Sequence, residues 1–451
     1  MTDTRTDGTD SLPPGPSGLP LVGSTVALLR DPWGFMNTAI EYGDVVSYTA
    51  FGRQFVAVGD PDVVERVLVA ENDAFEKGGF QQAFGELIAP EGVVFTEGER
   101  WRRQRQLLQS AFTPREIQSY ADEMVTETAA LADTWADGDV IELRETTSTL
   151  TLRILTRTLF DLDFDAERGA IVRDAVRALS DYIGNYATLM LVPSWVPTPS
   201  KRRYERAMGE LDTLVDELVA ERRNAAETPT DLLSMLAAAE YPDGEQMSPG
   251  EVRDQLVTFL FAGHETTATA LTFAVWLLAG DDEAQARLTR EAESVCGESL
   301  SFTDLPELEF TEAVAREALR LYPPLTDLFR EPTEATTLGG YRVPADATVL
   351  LSAYRCHRHE EYWDTPETFR PERWLPEIRG GDQDRPEYAY FPFGGGPRHC
   401  LGMRFAMTEL KLTLATLAGR LTFDRVTEKL DLSPFGLTLD PGPVEVHVRK
   451  P

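Results

Sequence analysis

The sequence predicts a mainly α chain with a minor β portion, an α+β class, on three observations. Apolar residues recur at three- and four-residue spacing through most of 60–320, the period of helices with a buried face. Short apolar, β-branched runs bounded by Gly and Asp fall outside that stretch, at 45–50 and 54–58 and again beyond 340. One long segment, Leu256 to Gly280, is almost wholly apolar, as expected of a helix through the middle of a large core.

Residues 1–12 are polar and acidic and are expected to form a disordered tail, leaving 13–451 as a single domain. Pro13, Pro14, Gly15 and Pro16 make a rigid entry to it. The runs 45–50 and 54–58 read as a strand pair. The longest helix begins at Ser248-Pro249-Gly250-Glu251, a capping box with Pro at the first helical position. It is expected to run to about Ala279, roughly 43 Å at 1.5 Å per residue. About 20 apolar residues suffice to cross a bilayer, but His264-Glu265-Thr266-Thr267 interrupt this run at its centre, where ionisable groups are most costly. A buried central helix accounts for both facts. Further strands are expected around 340–353 and at 421–424, 436–439 and 443–449. Between them 355–399 is irregular and rich in Pro, Gly, Arg and aromatic residues, and so long an irregular stretch usually has a function.

Against 43 Lys and Arg stand 75 Asp and Glu, a formal net charge of −32 spread along the whole chain. Phosphate backbones require a basic face, so nucleic acid is excluded as a partner. Only five lysines occur, at 77, 201, 411, 429 and 450. So acidic a surface repels itself in dilute buffer and is tolerable where salt shortens screening to about 3 Å, which points to the salt-loaded cytoplasm of a halophile. Cys296, Cys356 and Cys400 are the only cysteines; they form no disulfide framework and fit a reducing compartment. The N-terminus has neither the basic nor the apolar region of a signal peptide, and no membrane anchor precedes Pro13. A cytoplasmic monomer is expected.

The strongest chemical signal is Phe393-Gly394-Gly395-Gly396-Pro397-Arg398-His399-Cys400-Leu401-Gly402. Its glycines and proline make a tight loop. Periodic apolar residues follow, so Cys400 is expected at a helix N-terminus, where the dipole and free N–H groups favour a thiolate. That thiolate is a nucleophile or a metal ligand, the bland alternative being an inert buried cysteine. Zinc fits poorly, because no second Cys lies nearby and His399 is adjacent. Covalent haem attachment would need C-x-x-C-H, which is absent.

The pattern F-x-x-G-x-R-x-C-x-G, filled by Phe393, Gly396, Arg398, Cys400 and Gly402, resembles the cysteine-ligand loop of the cytochrome P-450 superfamily. The resemblance implies the P-450 fold, with haem b (iron protoporphyrin IX) between the central helix and the Cys-loop helix and the Cys400 sulfur on its iron. It also implies that Phe393 shields the sulfur, Gly402 lets backbone lie close to the porphyrin, and Arg398 pairs with a propionate. Ala262-Gly263-His264-Glu265-Thr266-Thr267 is similar to the family's oxygen-binding A-G-x-[DE]-T-[TS]. There small Ala262 and Gly263 would leave room for haem and dioxygen. Thr266, bonded back to a carbonyl, would open a groove in the helix and hydrogen-bond the dioxygen, while Glu265 relays protons. The bland alternative is a polar kink with a packing role.

Glu317-Ala318-Leu319-Arg320 alone is an ordinary helical ion pair. With Phe369-Arg370-Pro371-Glu372-Arg373-Trp374, which resembles the family's P-E-R-F segment, it implies a buried network of Glu317, Arg320 and Arg373. Trp374 stands where Phe is commoner. Trp101 and Arg105, one turn apart, resemble the family's W-x-x-x-R propionate contacts, an exposed basic face being the alternative; Lys77 and Arg330 also fall where relatives place such contacts.

The implied function is that of a haem-thiolate monooxygenase inserting one atom of dioxygen into a lipophilic small molecule. No flavin, iron–sulfur or G-x-G-x-x-G signature occurs, so electrons are expected from a separate ferredoxin and its reductase. These would dock on a basic rim of Arg102, Arg103, Arg398, Arg404 and Lys411. Rival readings are a peroxygenase or isomerase on the same scaffold, a haem sensor without turnover, and an acidic helical interaction protein without haem. Family substrate contacts fall in 78–95, 181–196, Ala262, Leu325 to Phe329 and Phe435 to Leu437, mostly apolar (Phe80, Phe84, Val93, Phe95, Leu325, Leu328), hence the lipophilic expectation.

Overall fold

Alternating Val, Tyr and Phe side chains make the first strand pair, and Phe51 and Gly52, at φ +52° and +74°, supply the turn that matches strand twist. In a computed structural model the chain is described at residues 11–184, 192, 195–223, 231–238, 241, 244–296, 299–376, 385–434 and 436–450. Most of the expected tail thus lies outside the described residues, but the Ser11 carbonyl accepts the Arg342 N–H at 2.9 Å, so ordered chain includes Ser11.

The strands are β1 (Val45–Ala50), β2 (Arg53–Val58), β3 (Phe75–Glu76), β4 (Val140–Glu142), β5 (Asp327–Pro332), β6 (Thr336–Leu338), β7 (Tyr341–Val343), β8 (Thr348–Ser352), β9 (Thr422–Arg425) and β10 (Glu445–Arg449). The largest sheet has the order β1-β2-β8-β5-β3, with β2 and β8 parallel and the other pairs antiparallel. β8 is buried at every position, which suits an unbroken Thr-Val-Leu-Leu run in a sheet centre. Smaller sheets are β4-β10-β9 and β6-β7. The expected strand at 436–439 does not form. Only an isolated bridge, Ser433 to Asp440, brackets it, because Thr438 turns to the central helix and meets Thr269 at 3.2 Å.

The central helix is Pro249–Leu278, one residue short of expectation. Ser248 Oγ accepts the Glu251 N–H at 3.1 Å and Glu251 Oε2 accepts the Ser248 N–H at 3.0 Å. The helix packs against Leu143–Leu159, Glu309–Leu321 and Met403–Ala418. The Cβ that Gly263 lacks would sit 2.7 Å from Leu155 Cδ1, so glycine there permits close approach of two helices. Among the described residues no helix is long and apolar enough to cross a membrane.

The irregular stretch after residue 355 is pinned by one carboxylate. Glu317, wholly buried, accepts from Arg320 Nη2 at 2.8 Å and Nε at 3.0 Å, and from Arg373 Nε at 3.0 Å. The Arg370 N–H (3.0 Å) and Trp374 Nε1 (2.9 Å) donate to the same carboxylate. Arg320 carries the network onward to the carbonyls of His357 and Pro366, both at 2.7 Å. Tryptophan in place of phenylalanine thus adds a donor that Phe lacks.

Candidate active site

On the central helix Phe259, Ala262 and Thr266 share one face by their spacing, whereas the Cβ position of Gly263 turns to Leu155, so Gly263 makes room for the neighbouring helix rather than, as expected, for haem. Ala262 is exposed and Gly263 and Thr266 are half-buried, while Leu260, Phe261, His264, Glu265 and Thr267 are buried. An exposed alanine halfway along so buried a helix marks an internal cleft. Phe112 links this helix to the Cys loop. Its ring stacks on Phe259 at 5.8 Å and lies 3.7 Å from where a Gly402 Cβ would be.

The Cys loop holds its shape through glycine. Gly396 has φ +60°, and a Cβ there would stand 1.9 Å from the Leu68 carbonyl oxygen, so only Gly is tolerated. The Cys400 N–H donates to the Phe393 carbonyl at 2.9 Å. The helix that follows begins at Met403, so Cys400 precedes its first residue by three rather than standing at its terminus; the Leu401-Gly402 turn intervenes. Cys400 is accessible to solvent, yet burial among protein atoms pushes its thiol up, and both hold for a sulfur that faces an internal cleft. The Gly402 N–H donated to that sulfur and the nearby Arg105 guanidinium oppose the shift and favour the thiolate.

Beside the loop, cations outnumber acids. Lys77 and Arg330 are buried and Arg398 nearly so, at 18% side-chain exposure. Burial first, then Arg398 and Arg330, hold the Lys77 ammonium well below its usual range. Burial and Arg398 bring Arg330 down to about 10. Arg398 lies over the Trp101 ring at 4.3 Å, and Arg105 at 5.9 Å from the same ring. Arg105 Nη2 also approaches the His399 ring at 3.3 Å. Burying this much positive charge is costly without anionic partners. The cluster therefore fits the two propionates of a haem, and the accessible sulfur and flat Ala262 face fit its iron and ring.

Glu265 lies to one side of the Ala262 face. Burial raises its carboxyl, with Arg144 and Arg177 acting the other way. It borders a cavity of about 250 Å³ lined also by Arg144, Glu145, Arg173, Arg177, Val176 and Ala268. Thr266 Oγ1 donates to the Ala262 carbonyl at 2.8 Å. The helix is continuous α from Pro249 to Leu278.

Residues 13–448 match the family model described as Cytochrome P450. The chain belongs to the cytochrome P450 family. It is 37% identical over 409 residues to "Cyclooctat-9-en-7-ol 5-monooxygenase" of Streptomyces melanosporofaciens, covering 90% of this chain and 88% of the relative. It is 33% identical over 405 residues to "Pentalenene oxygenase" of Streptomyces avermitilis, covering 89% of each. Among solved structures, retinoic acid-bound cyanobacterial CYP120A1 superposes with a TM-score of 0.85 at 25% identity, covering 98% of this chain and 100% of that one. The protein is thus a P450 monooxygenase with the mainly α P450 fold, and its cofactor is haem b.

Several expectations about this P450 change with its geometry. The basic rim is smaller than the sequence suggests. Lys411 is buried, donating to the Leu305 carbonyl at 2.7 Å and to Glu312 at 3.0 Å. Arg398 turns inward, and Arg103 packs on Tyr241 at 4.1 Å and pairs with Glu245 at 3.0 Å. Arg102 and Arg404 remain exposed. Phe80 is a core residue, ringed by Phe55, Phe84 and Phe329 at 5.0 to 5.5 Å. Phe84, Val93 and Phe95 are half-buried and Leu325 is exposed; much of 181–196, and Phe435, lie outside the described residues. Sequence reasoning missed Glu97, Phe112, Arg144 and Arg177. Glu97 resembled any acid preceding a helix, and the others carry no local signature.

Proposed function

We propose that Cys400 binds the haem iron and that Lys77, Trp101, Arg105, Arg330 and Arg398 hold the propionates. Phe393 and the Gly396 and Gly402 turns shape the loop around the sulfur. The observation that carries this is the accessible Ala262–Thr266 face joined through Phe112 to an accessible Cys400. When bound, haem supplies dioxygen activation, one atom going to the substrate and the other to water. The Thr266 hydroxyl, hydrogen-bonded to the Ala262 carbonyl, can turn into the cleft and donate. Glu265, whose carboxyl burial holds above its ordinary range, can resupply that proton from the arginine-lined cavity behind it.

The substrate in this reading is a lipophilic, largely hydrocarbon molecule. Half-buried Phe84, Val93 and Phe95 support it, as do the relatives named for pentalenene and cyclooctat-9-en-7-ol. Electrons come from a separate ferredoxin and reductase docking near Arg102 and Arg404.

The test uses Thr266→Ala with a surrogate ferredoxin, its reductase and NADPH. Pentalenene, cyclooctat-9-en-7-ol and retinoic acid are the probe substrates. Product per NADPH should fall at least about tenfold, since a general acid contributes that much or more, while peroxide rises and haem content stays. An unchanged product yield would refute the assignment.

A further inference from the structure

Glu97 sits at the N-cap of the helix Gly98–Leu108 but makes no capping bond. Its carboxylate faces the cation cluster instead. Oε1 accepts the Lys77 backbone N–H at 2.9 Å, and Oε2 takes an Arg398 guanidinium N–H. Arg398 is held on its other arm by the Thr96 carbonyl at 3.1 Å. Glu97 is also the acid whose charge bears on Lys77, Arg330 and Arg398 together. The neighbouring Glu331 is spent elsewhere, on Arg53 at 3.2 Å and on the Gly79 and Phe80 N–H groups at 3.0 and 3.1 Å.

A guanidinium offers its best fork to one carboxylate at a time. Glu97 already takes part of the Arg398 fork, the group assigned above to a haem propionate. We propose that Glu97 is an internal counter-anion that competes with a haem propionate for Arg398 and thereby sets how tightly the protein keeps its haem. The inference rests on the reading of Arg398 as a propionate ligand. Glu97 stabilises the cluster in the haem-free chain and opposes the propionates by like charge in the loaded one. A residue that merely braces the site would act in one direction only.

The experiment is haem transfer from the purified holoenzyme to excess apomyoglobin, followed by the Soret change. Glu97→Gln removes the charge and keeps the shape, so haem release should slow about tenfold, the scale of one water-screened charge at short range. Glu97→Asp, which withdraws the carboxylate by one methylene, should slow it less. In an Arg398→Ala background the effect of Glu97→Gln should shrink to about twofold or less, the mark of pairwise coupling. Equal or faster release in both Glu97 variants, with Arg398→Ala releasing faster than wild type, overturns the competition alone. Release unchanged by Arg398→Ala overturns the propionate assignment beneath it.

Discussion

At the scale of single residues, His264 shows what burial does in the middle of the central helix. Its Nδ1 meets the Leu260 carbonyl, its Nε2 has no hydrogen-bond partner among the described residues, and burial brings the imidazole from 6.5 down to about 4. The folded chain therefore binds this proton more weakly than the unfolded chain. Its contribution to stability is full above pH 6.5 and is lost as pH falls toward 4, a loss of roughly 3 kcal/mol. His264→Gln should flatten the decline of urea midpoints over that range, and an unaltered decline would contradict the assignment. Buried His357 shifts in the same direction, so some slope should remain. Cys400, Glu265 and Thr266 could be named as candidates from the sequence because short motifs fix their neighbours. Glu97 was not, because its role depends on Lys77 and Arg398, which lie far from it in the chain and meet it only after folding.

At the scale of elements, the Glu317 network ties a helix to a stretch without regular structure. The carboxylate satisfies two guanidiniums, an indole and a backbone N–H. Glu317→Gln leaves Arg320 and Arg373 buried without their counter-charge, and should cost about 3–5 kcal/mol in denaturant unfolding of the holoenzyme. Trp374→Phe removes one hydrogen bond and should cost about 1 kcal/mol. Equal costs for the two would mean that the network is held by packing rather than charge. The network was readable because Glu317 and Arg320 share a helix face and the Arg373 segment has its own pattern. Strands fared less well. β3 spans two residues, and β5, Asp-Leu-Phe-Arg-Glu-Pro, has charges where an apolar alternation would announce a strand. Tertiary pairing with β8 makes β5 a strand in spite of its composition.

At the scale of the whole molecule, a net charge of −32 surrounds a buried pocket of positive charge. That contrast is set by folding. The sequence shows the acid excess, and the resemblance implied that Lys77, Arg330 and Arg398 converge on the propionates, but neither showed that Lys411 is drawn away to Glu312. The family, by contrast, was legible along nearly the full length, because four motifs occur in the right order and the match spans residues 13–448. The cavity behind Glu265 was not, since it is assembled from separate elements carrying Arg144, Arg177 and Gly442. The proposed site joins all three scales: one cysteine, on one glycine loop, bound as thiolate to haem in this fold. It is tested most directly by the reduced, carbon monoxide-bound absorption spectrum of protein purified in high salt. The account predicts the long-wavelength Soret band of a thiolate-ligated haem in the wild-type chain and its loss in Cys400→Ser. A short-wavelength band in freshly prepared wild-type protein, or a long-wavelength band that survives Cys400→Ser, would contradict it.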